Sequence, residues 1–222
     1  MVLALDHAGY YFRSGKNIQK EKALNRSIAF FDFDGTITTR DTMLELIRFR
    51  HGRIRFYLGF LALSPLMVLM KIGLVHNQRV KEKMLGMFFG GMELGEFNKL
   101  CREFSLTCIP PLLRPAAVDK LADLHRSGTE IVLVSASAEN WLADWCTLHN
   151  ITLVASVLEV TDGRITGKLA GANCHGEEKV NRIRKQFDLS AYQSISCYGD
   201  TGGDKPMLAL ATEAYYKPFR EL

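Results

Sequence analysis

Two aspartates one residue apart, with a glycine behind them, close an apolar run in this chain: Ile28-Ala29-Phe30-Phe31-Asp32-Phe33-Asp34-Gly35-Thr36. A run of that kind reads as a buried strand, and alternate positions put both carboxylates on the same side of its end. Gly35 permits a sharp turn and a close backbone approach. Paired carboxylates at the mouth of a buried strand repel each other unless a cation or a reaction holds them there. The chain must therefore fold so that other groups meet the pair, and metal-assisted chemistry is the expectation.

Two further apolar runs, 130–135 and 194–200, also end in polar residues. Helical faces lie between the runs. Val118, Leu121, Leu124 and His125 share one face. Trp141, Leu142, Trp145, Cys146 and His149 share a second, and Val180, Ile183 and Phe187 a third. Alternating strands and helices predict an α/β fold with a parallel sheet and right-handed crossovers. The ligand site of such a sheet lies beyond the carboxyl ends of its strands. A hairpin is predicted over 156–168, with Asp162-Gly163 as its turn.

From 42 to 113 the pattern is helical only. Val80, Met84, Met87 and Phe88 form one face there, and Leu94, Phe97, Leu100, Cys101 and Phe104 another. Cys108-Ile109-Pro110-Pro111 ends the stretch, because two prolines cannot continue a helix. The expected organisation is a polar extension at 1–26, a core formed by 27–41 and 114–222, and a helical cap at 42–113, with hinges at 39–41 and 109–115. At 222 residues and 47% hydrophobic, the chain is large and apolar enough for this.

Residues 56–75 carry a single charge, Lys71, over almost enough length to span a bilayer. A span would put Asp32 on one side of a membrane and Asp200 on the other. Ser64-Pro65 also interrupts the run. A buried helical hairpin is the expectation, and peripheral membrane contact is the alternative.

The net charge is +4, but residues 1–26 account for +3 of it. That distribution does not point to nucleic acid. Five cysteines, an odd number with no Cys-x-x-Cys pair, predict reduced thiols and a cytosolic setting. No apolar run of signal-peptide length occurs in residues 1–26.

The groups that would meet Asp32 and Asp34 come from later in the chain. Lys179 sits on a helix starting near Gly176-Glu177-Glu178. Tyr198-Gly199-Asp200-Thr201-Gly202-Gly203-Asp204 supplies two more carboxylates around a glycine-rich turn. Carboxylates without His or Cys suit a hard cation, best Mg²⁺. A lysine and Ser135 beside that cation suit a phosphoryl group.

In their order, DFDGT at 32–36, VLVSAS at 132–137, GEEKV at 176–180 and GDTGGD at 199–204 resemble the haloacid dehalogenase superfamily of hydrolases. The helical insert after the first motif resembles the subgroup with phosphoserine phosphatases and phosphatidylglycerophosphatase C. The resemblance implies a Rossmann-like core with a helical cap, and a Mg²⁺-dependent phosphatase. Asp32 would be the nucleophile, forming an aspartyl-phosphate, and Asp34 the general acid and base. Asp32, Asp200 and the Asp34 carbonyl would hold Mg²⁺, with Asp204 behind them orienting bound water or Lys179. Ser135, Ala136, Gly35 and Lys179 would bind the phosphate. The substrate would be a phosphorylated small molecule or a phospholipid phosphate.

The pattern departs from phosphoserine phosphatases at three places. His175 stands where their lysine does, with Lys179 one turn on; Asp41 stands where they have a substrate-sensing Glu; Ala136-Ser137 replaces Gly-Gly. Lys179 is expected to serve and His175 to be a loop residue. Ser137 is expected to cap the following helix. Trp141 and Trp145 are expected in the core, and Arg114 on the surface. The competing functions are a phosphotransferase or phosphomutase, and a non-catalytic regulatory module on the same fold.

Overall fold

The first strand, β1 (Ser27–Phe31), lies in the middle of a five-stranded sheet, and the position of the site follows from that. The computed structural model describes residues 26–220. The extension expected at 1–26 thus falls outside the described residues except for Arg26, which pairs with Glu130. The other strands of the sheet are β2 (Glu130–Ala138), β3 (Thr152–Ser156), β6 (Ser194–Gly199) and β7 (Glu213–Tyr216), in the order β3-β2-β1-β6-β7 with every pair parallel. A separate antiparallel hairpin holds β4 (Leu158–Thr161) and β5 (Arg164–Leu169).

Alternation along β1 explains why the run is apolar throughout. Ala29 and Phe31 face one core with Ile131 and Leu133, while Ile28 and Phe30 face a second with Val132, Val134, Ile195 and Cys197. Helices cover both faces, so both sides of each central strand must be apolar. Helix α4 (Pro115–Arg126) and helix α5 (Glu139–Leu148) belong to the first side, and helix α6 (Glu177–Gln186) and helix α7 (Lys205–Leu208) to the second. The edge strands β3 and β7 carry little of this signal, and the sequence pattern did not mark them.

Register brings the site together. Phe31 stands opposite Leu133 on one side and Tyr198 on the other. Asp32, Ser135 and Asp200, each one or two residues further along, therefore emerge at the same edge.

Helices α1 (Thr42–Lys71), α2 (Asn77–Phe89) and α3 (Leu94–Thr107) form the insert between β1 and α4. The two chain crossings run side by side. Thr39 N donates to Leu112 O at 2.8 Å, Arg114 N to Ile37 O at 2.8 Å, and Thr38 is bridged to Leu113. Four residues expected on the helical faces, Met87, Val118, His125 and His149, are exposed; Leu85 and Ala117 are buried near the first two.

The helical hairpin expected over 56–75 is absent. α1 runs through Pro65, and the break falls at Gly52, with φ 73° and ψ 172°. Proline at 65 cannot donate to the carbonyl of Leu61 one turn back. The Ser64 hydroxyl donates to that carbonyl instead, at 2.7 Å, and the helix continues. Nor is the stretch largely buried: of the most apolar 18-residue window of α1, only 17% is.

The predicted hairpin is present, with Asp162 and Gly163 both at positive φ (50° and 73°), as a two-residue turn of this hand requires. It docks on the helical insert. Leu94 N donates to Gly163 O, Ile165 N to Met92 O, and Gly91 N to Ile165 O, at 2.8–2.9 Å. Gly167 lets β5 lie against α2, since a Cβ there would stand 2.2 Å from Gly86 Cα. Its φ is also 87°.

Gly167→Ala should therefore cost more than the about 1–2 kcal/mol of a left-handed residue alone. Gly128→Ala, at φ 73° with open space around it, should cost only that strain. Urea denaturation of the two variants measures the difference.

Candidate active site

Asp32 follows the last residue of β1 and is fixed by its own backbone: its N–H donates to Tyr198 O at 2.9 Å. Its carboxylate accepts from Lys179 Nζ at 2.6 Å on one oxygen and from Thr36 Oγ1 at 3.2 Å on the other. The chain then turns tightly through Phe33–Ile37, with Gly35 at φ 87°. A side chain at Gly35 would be strained and also blocked, because its Cβ would stand 2.5 Å from Asp200 Oδ2. Only glycine lets the first turn approach the last acidic loop this closely.

Lys179, in the first turn of α6, is 1% exposed and bridges Asp32 to Asp204, the second contact at 2.7 Å. The other Asp204 oxygen accepts from Asp200 N, Thr201 N and Thr201 Oγ1 at 2.9–3.1 Å. Asp204 thereby shapes the 200–204 loop and holds the lysine. Gly199 gives it room, since a Cβ there would lie 2.5 Å from Asp204 Cβ. Burial alone would raise the Asp204 carboxyl, but Lys179 and these hydrogen bonds keep it below the usual range. Burial would lower the Lys179 ammonium, and the two carboxylates raise it above the usual lysine range. Burial dominates at Asp32, which rises to about 7 despite Lys179.

Asp34 occupies different surroundings. One oxygen accepts from Thr42 N and Thr42 Oγ1, both at 2.7 Å, and the other from Ser137 Oγ at 2.6 Å. Trp141 Nε1 donates to Thr42 Oγ1 at 3.1 Å, so the buried indole steadies the hydroxyl that holds Asp34. Burial, and then Asp41, lift this carboxyl to about 6 against its three donors.

The expectation that Ser137 caps α5 fails. Its hydroxyl is committed to Asp34, and the residue at the cap position is Ala138, without a side-chain bond. The register between β2 and β3 shifts between Ser135 and Ala138. That irregularity aims Ala136 and Ser137 at the cavity. Ser135 is fully buried behind them; its Oγ accepts from Ser137 N at 3.0 Å, leaving its own proton to donate.

Part of this cluster lines a cavity of about 530 Å³ that also reaches the insert, whereas Gly35, Ser135 and Asp200 lie behind the lining. Asp32, Asp34, Lys179 and Asp204 line it from the sheet edge, and Phe60, Met67 and Met70 line it from α1. Lys81 comes from α2. It is buried, donates to the Ala136 carbonyl and reaches Asn173 Oδ1 at 3.1 Å. Burial pulls its ammonium below the usual range, against the attraction of Asp34 and Asp41. His175 lines the cavity beside Gly203 and is held neutral-leaning, first by burial and then by Lys179. Asp41 lines it too and caps α1 through Leu44 N at 3.0 Å. Arg114 is half buried at the chain crossing and away from this lining. Trp141 and Trp145 lie in the core.

Among the groups that hold the site, Thr36, Thr42, Ser137, Lys81 and Arg220, no sequence pattern singles out Thr42, Lys81 or Arg220. Arg220 approaches from the C-terminal segment and donates to Asp200 Oδ2 at 2.5 Å. Only Thr36, inside the first motif, and Ser137, next to the strand end, had a positional signal.

Asp32, Asp200 and Asp204 each offer an oxygen within 4.8 Å of the others. The oxygen-only set fits a hard divalent cation. Asp204 is already saturated by Lys179 and the loop, so Asp32 and Asp200 are the better ligands.

A model of the haloacid dehalogenase-like hydrolases matches residues 29–209. Protein CicA of Caulobacter vibrioides is 34% identical over 192 residues, 86% of this chain and 85% of that protein. A solved protein of unknown function from Bordetella pertussis Tohama I superposes with a TM-score of 0.75 at 26% identity, covering 86% of this chain and 89% of that one. A phospho-aspartyl intermediate analogue of phosphoserine phosphatase superposes with a TM-score of 0.62 at 16% identity, covering 86% and 85%, which is a likeness of fold.

Two measurements test the site. Lys179→Met leaves two buried carboxylates facing each other and should cost about 3–5 kcal/mol in urea denaturation. Lys179→Met with Asp204→Asn should recover part of the loss. The second concerns pH. Because the folded-state pKa of Asp32 is raised to about 7, its stabilising share is full below the ordinary carboxylate range and is lost as pH rises through about 7. Mg²⁺ should therefore raise the melting temperature strongly near pH 8 and little near pH 5, where the proton competes.

Proposed function

Since this chain belongs to the haloacid dehalogenase-like hydrolases, we propose that it is a Mg²⁺-dependent phosphatase acting on a phosphate monoester through an aspartyl-phosphate on Asp32. The observation that carries this reading is the unequal environment of two neighbouring carboxylates. Asp32 touches an ammonium and stands beside Asp200. Asp34 is held by two hydroxyls and one amide. Different surroundings divide the work of nucleophile and proton carrier between two like groups.

An Asp32 oxygen attacks phosphorus, and the bond from phosphorus to the ester oxygen breaks. Asp34, at about 6, gives its proton to that leaving oxygen. Asp34 then takes a proton from water as the water oxygen attacks phosphorus, the bond to Asp32 breaks, and phosphate leaves. Lys179 and the Ser135 hydroxyl bind phosphoryl oxygens, with Ala136 and Gly35 beside them. Asp32, Asp200 and the Asp34 carbonyl would hold Mg²⁺, which when bound supplies positive charge against the phosphoryl group and keeps Asp32 ionised. Residues 42–113 serve as a cap that excludes water, turning on the paired crossings at 39–41 and 109–115. Lys81 couples that cap to the end of β2 that carries Ser135, through the Ala136 carbonyl.

Asp32→Asn should lower turnover of para-nitrophenyl phosphate by about a thousandfold or more while leaving the circular dichroism spectrum unchanged. Acid quench of the wild type with labelled substrate should leave phosphate on the protein, and Asp32→Asn should remove that label. Wild-type turnover by Asp32→Asn in Mg²⁺ would refute the mechanism.

A further inference from the structure

Beyond Gly52, α1 is apolar on two opposite faces. Its inner stripe serves the fold: Phe56, Gly59 and Leu63 are buried, and Phe60, Met67 and Met70 reach the catalytic cavity. Its outer stripe packs against nothing among the described residues. Ile54, Tyr57, Leu58, Leu61, Val68 and Ile72 recur at helical spacing and are 59–78% exposed. A surface helix needs one apolar stripe, not two. An exposed patch on the order of several hundred Å² marks an interaction site.

The charges around the stripe select the occupant. No Asp or Glu stands between Glu45 and Glu82, while Arg and Lys fill seven places; Lys81 is buried, Arg48 and Arg50 pair with Glu45 and Glu96, and Arg53, Arg55, Lys71 and Arg79 remain. Arg53 and Arg55 lie at one end of the stripe and Lys71 at the other. Arg79, Lys83 and Lys168, with Glu82 as the one carboxylate, line a second cavity of about 750 Å³ beside the same helix. An apolar face bordered by cations matches an anionic lipid surface. It does not match a second copy of itself, because two-fold pairing would set cations against cations.

We propose that the outer face of α1 docks this protein on an anionic membrane surface, and that the site takes from it a phosphate monoester with an apolar tail. α1 supplies both walls of that route. Its outer stripe meets the acyl layer, and its inner stripe lines the cavity that ends at Asp32. The substrate half rests on the phosphatase reading; the docking half does not.

Co-sedimentation with vesicles tests the docking. The wild type should bind equimolar phosphatidylcholine and phosphatidylglycerol about tenfold or more better than phosphatidylcholine alone. Leu58→Gln/Leu61→Gln/Val68→Gln should lose that binding, as should Arg53→Gln/Arg55→Gln. Both variants should keep wild-type turnover of para-nitrophenyl phosphate, which also reports folding. The triple variant should lose about tenfold or more against phosphatidic acid in anionic vesicles. Three results would overturn the docking: no preference for anionic vesicles, unchanged binding by both variants, or a wild-type dimer in sedimentation velocity that the triple variant breaks. Unchanged vesicle turnover by the triple variant would overturn the substrate half. Vesicle binding without turnover of either ester would refute the phosphatase reading and uphold the docking.

Discussion

A buried ammonium between two carboxylates holds the catalytic edge of this protein together. Lys179 touches Asp32 and Asp204, each of which ends a different piece of chain. Take the cation away and three elements lose their common point: the first strand, the acidic loop after β6, and the start of α6. The arrangement is costly to bury and costly to break, and only the intact set is tolerable. Under the proposed phosphatase mechanism the same cation would also meet the phosphoryl group, so that one side chain would serve folding and chemistry together.

The division of tasks along the edge follows from how each carboxylate is satisfied. Asp204 has donors for both oxygens and is structural in its effect. Asp34 is held by uncharged donors, with its carboxyl raised to about 6 by burial and Asp41. Asp32 is under-compensated, with one strong partner and a long contact to Thr36. Asp200 meets a guanidinium that is itself half exposed.

Much of this was legible in the sequence, for physical reasons. Central strands buried on both faces must be apolar throughout, and acidic residues at their ends stand out against them. That contrast revealed Asp32, Asp34, Asp200 and Asp204, and the turn chemistry of Asp162-Gly163 revealed the hairpin. Edge strands such as β7 have one wet side and no such contrast. Thr42 and Ser137 look like any hydroxyl near a helix start, and only the folded geometry turns them toward Asp34. Ser64-Pro65 misled for a sharper reason. Proline signals a break because it strands a carbonyl, and here the preceding serine satisfies that carbonyl. The solvent exposure of the outer stripe of α1 is likewise invisible in a run that is apolar on every side.

The hairpin's attachment to the helical insert bears on how the chain matures. Backbone groups of Gly91, Met92 and Leu94 find their partners at Gly163 and Ile165, some seventy positions later in synthesis. The insert is contiguous up to residue 113 and yet cannot close its own edge when it leaves the ribosome. By the time the hairpin arrives, β1, β2 and β3 are also available to pair. The helical layer is therefore closed by chain that follows β2 and β3, and residues 42–113 do not satisfy its backbone by themselves.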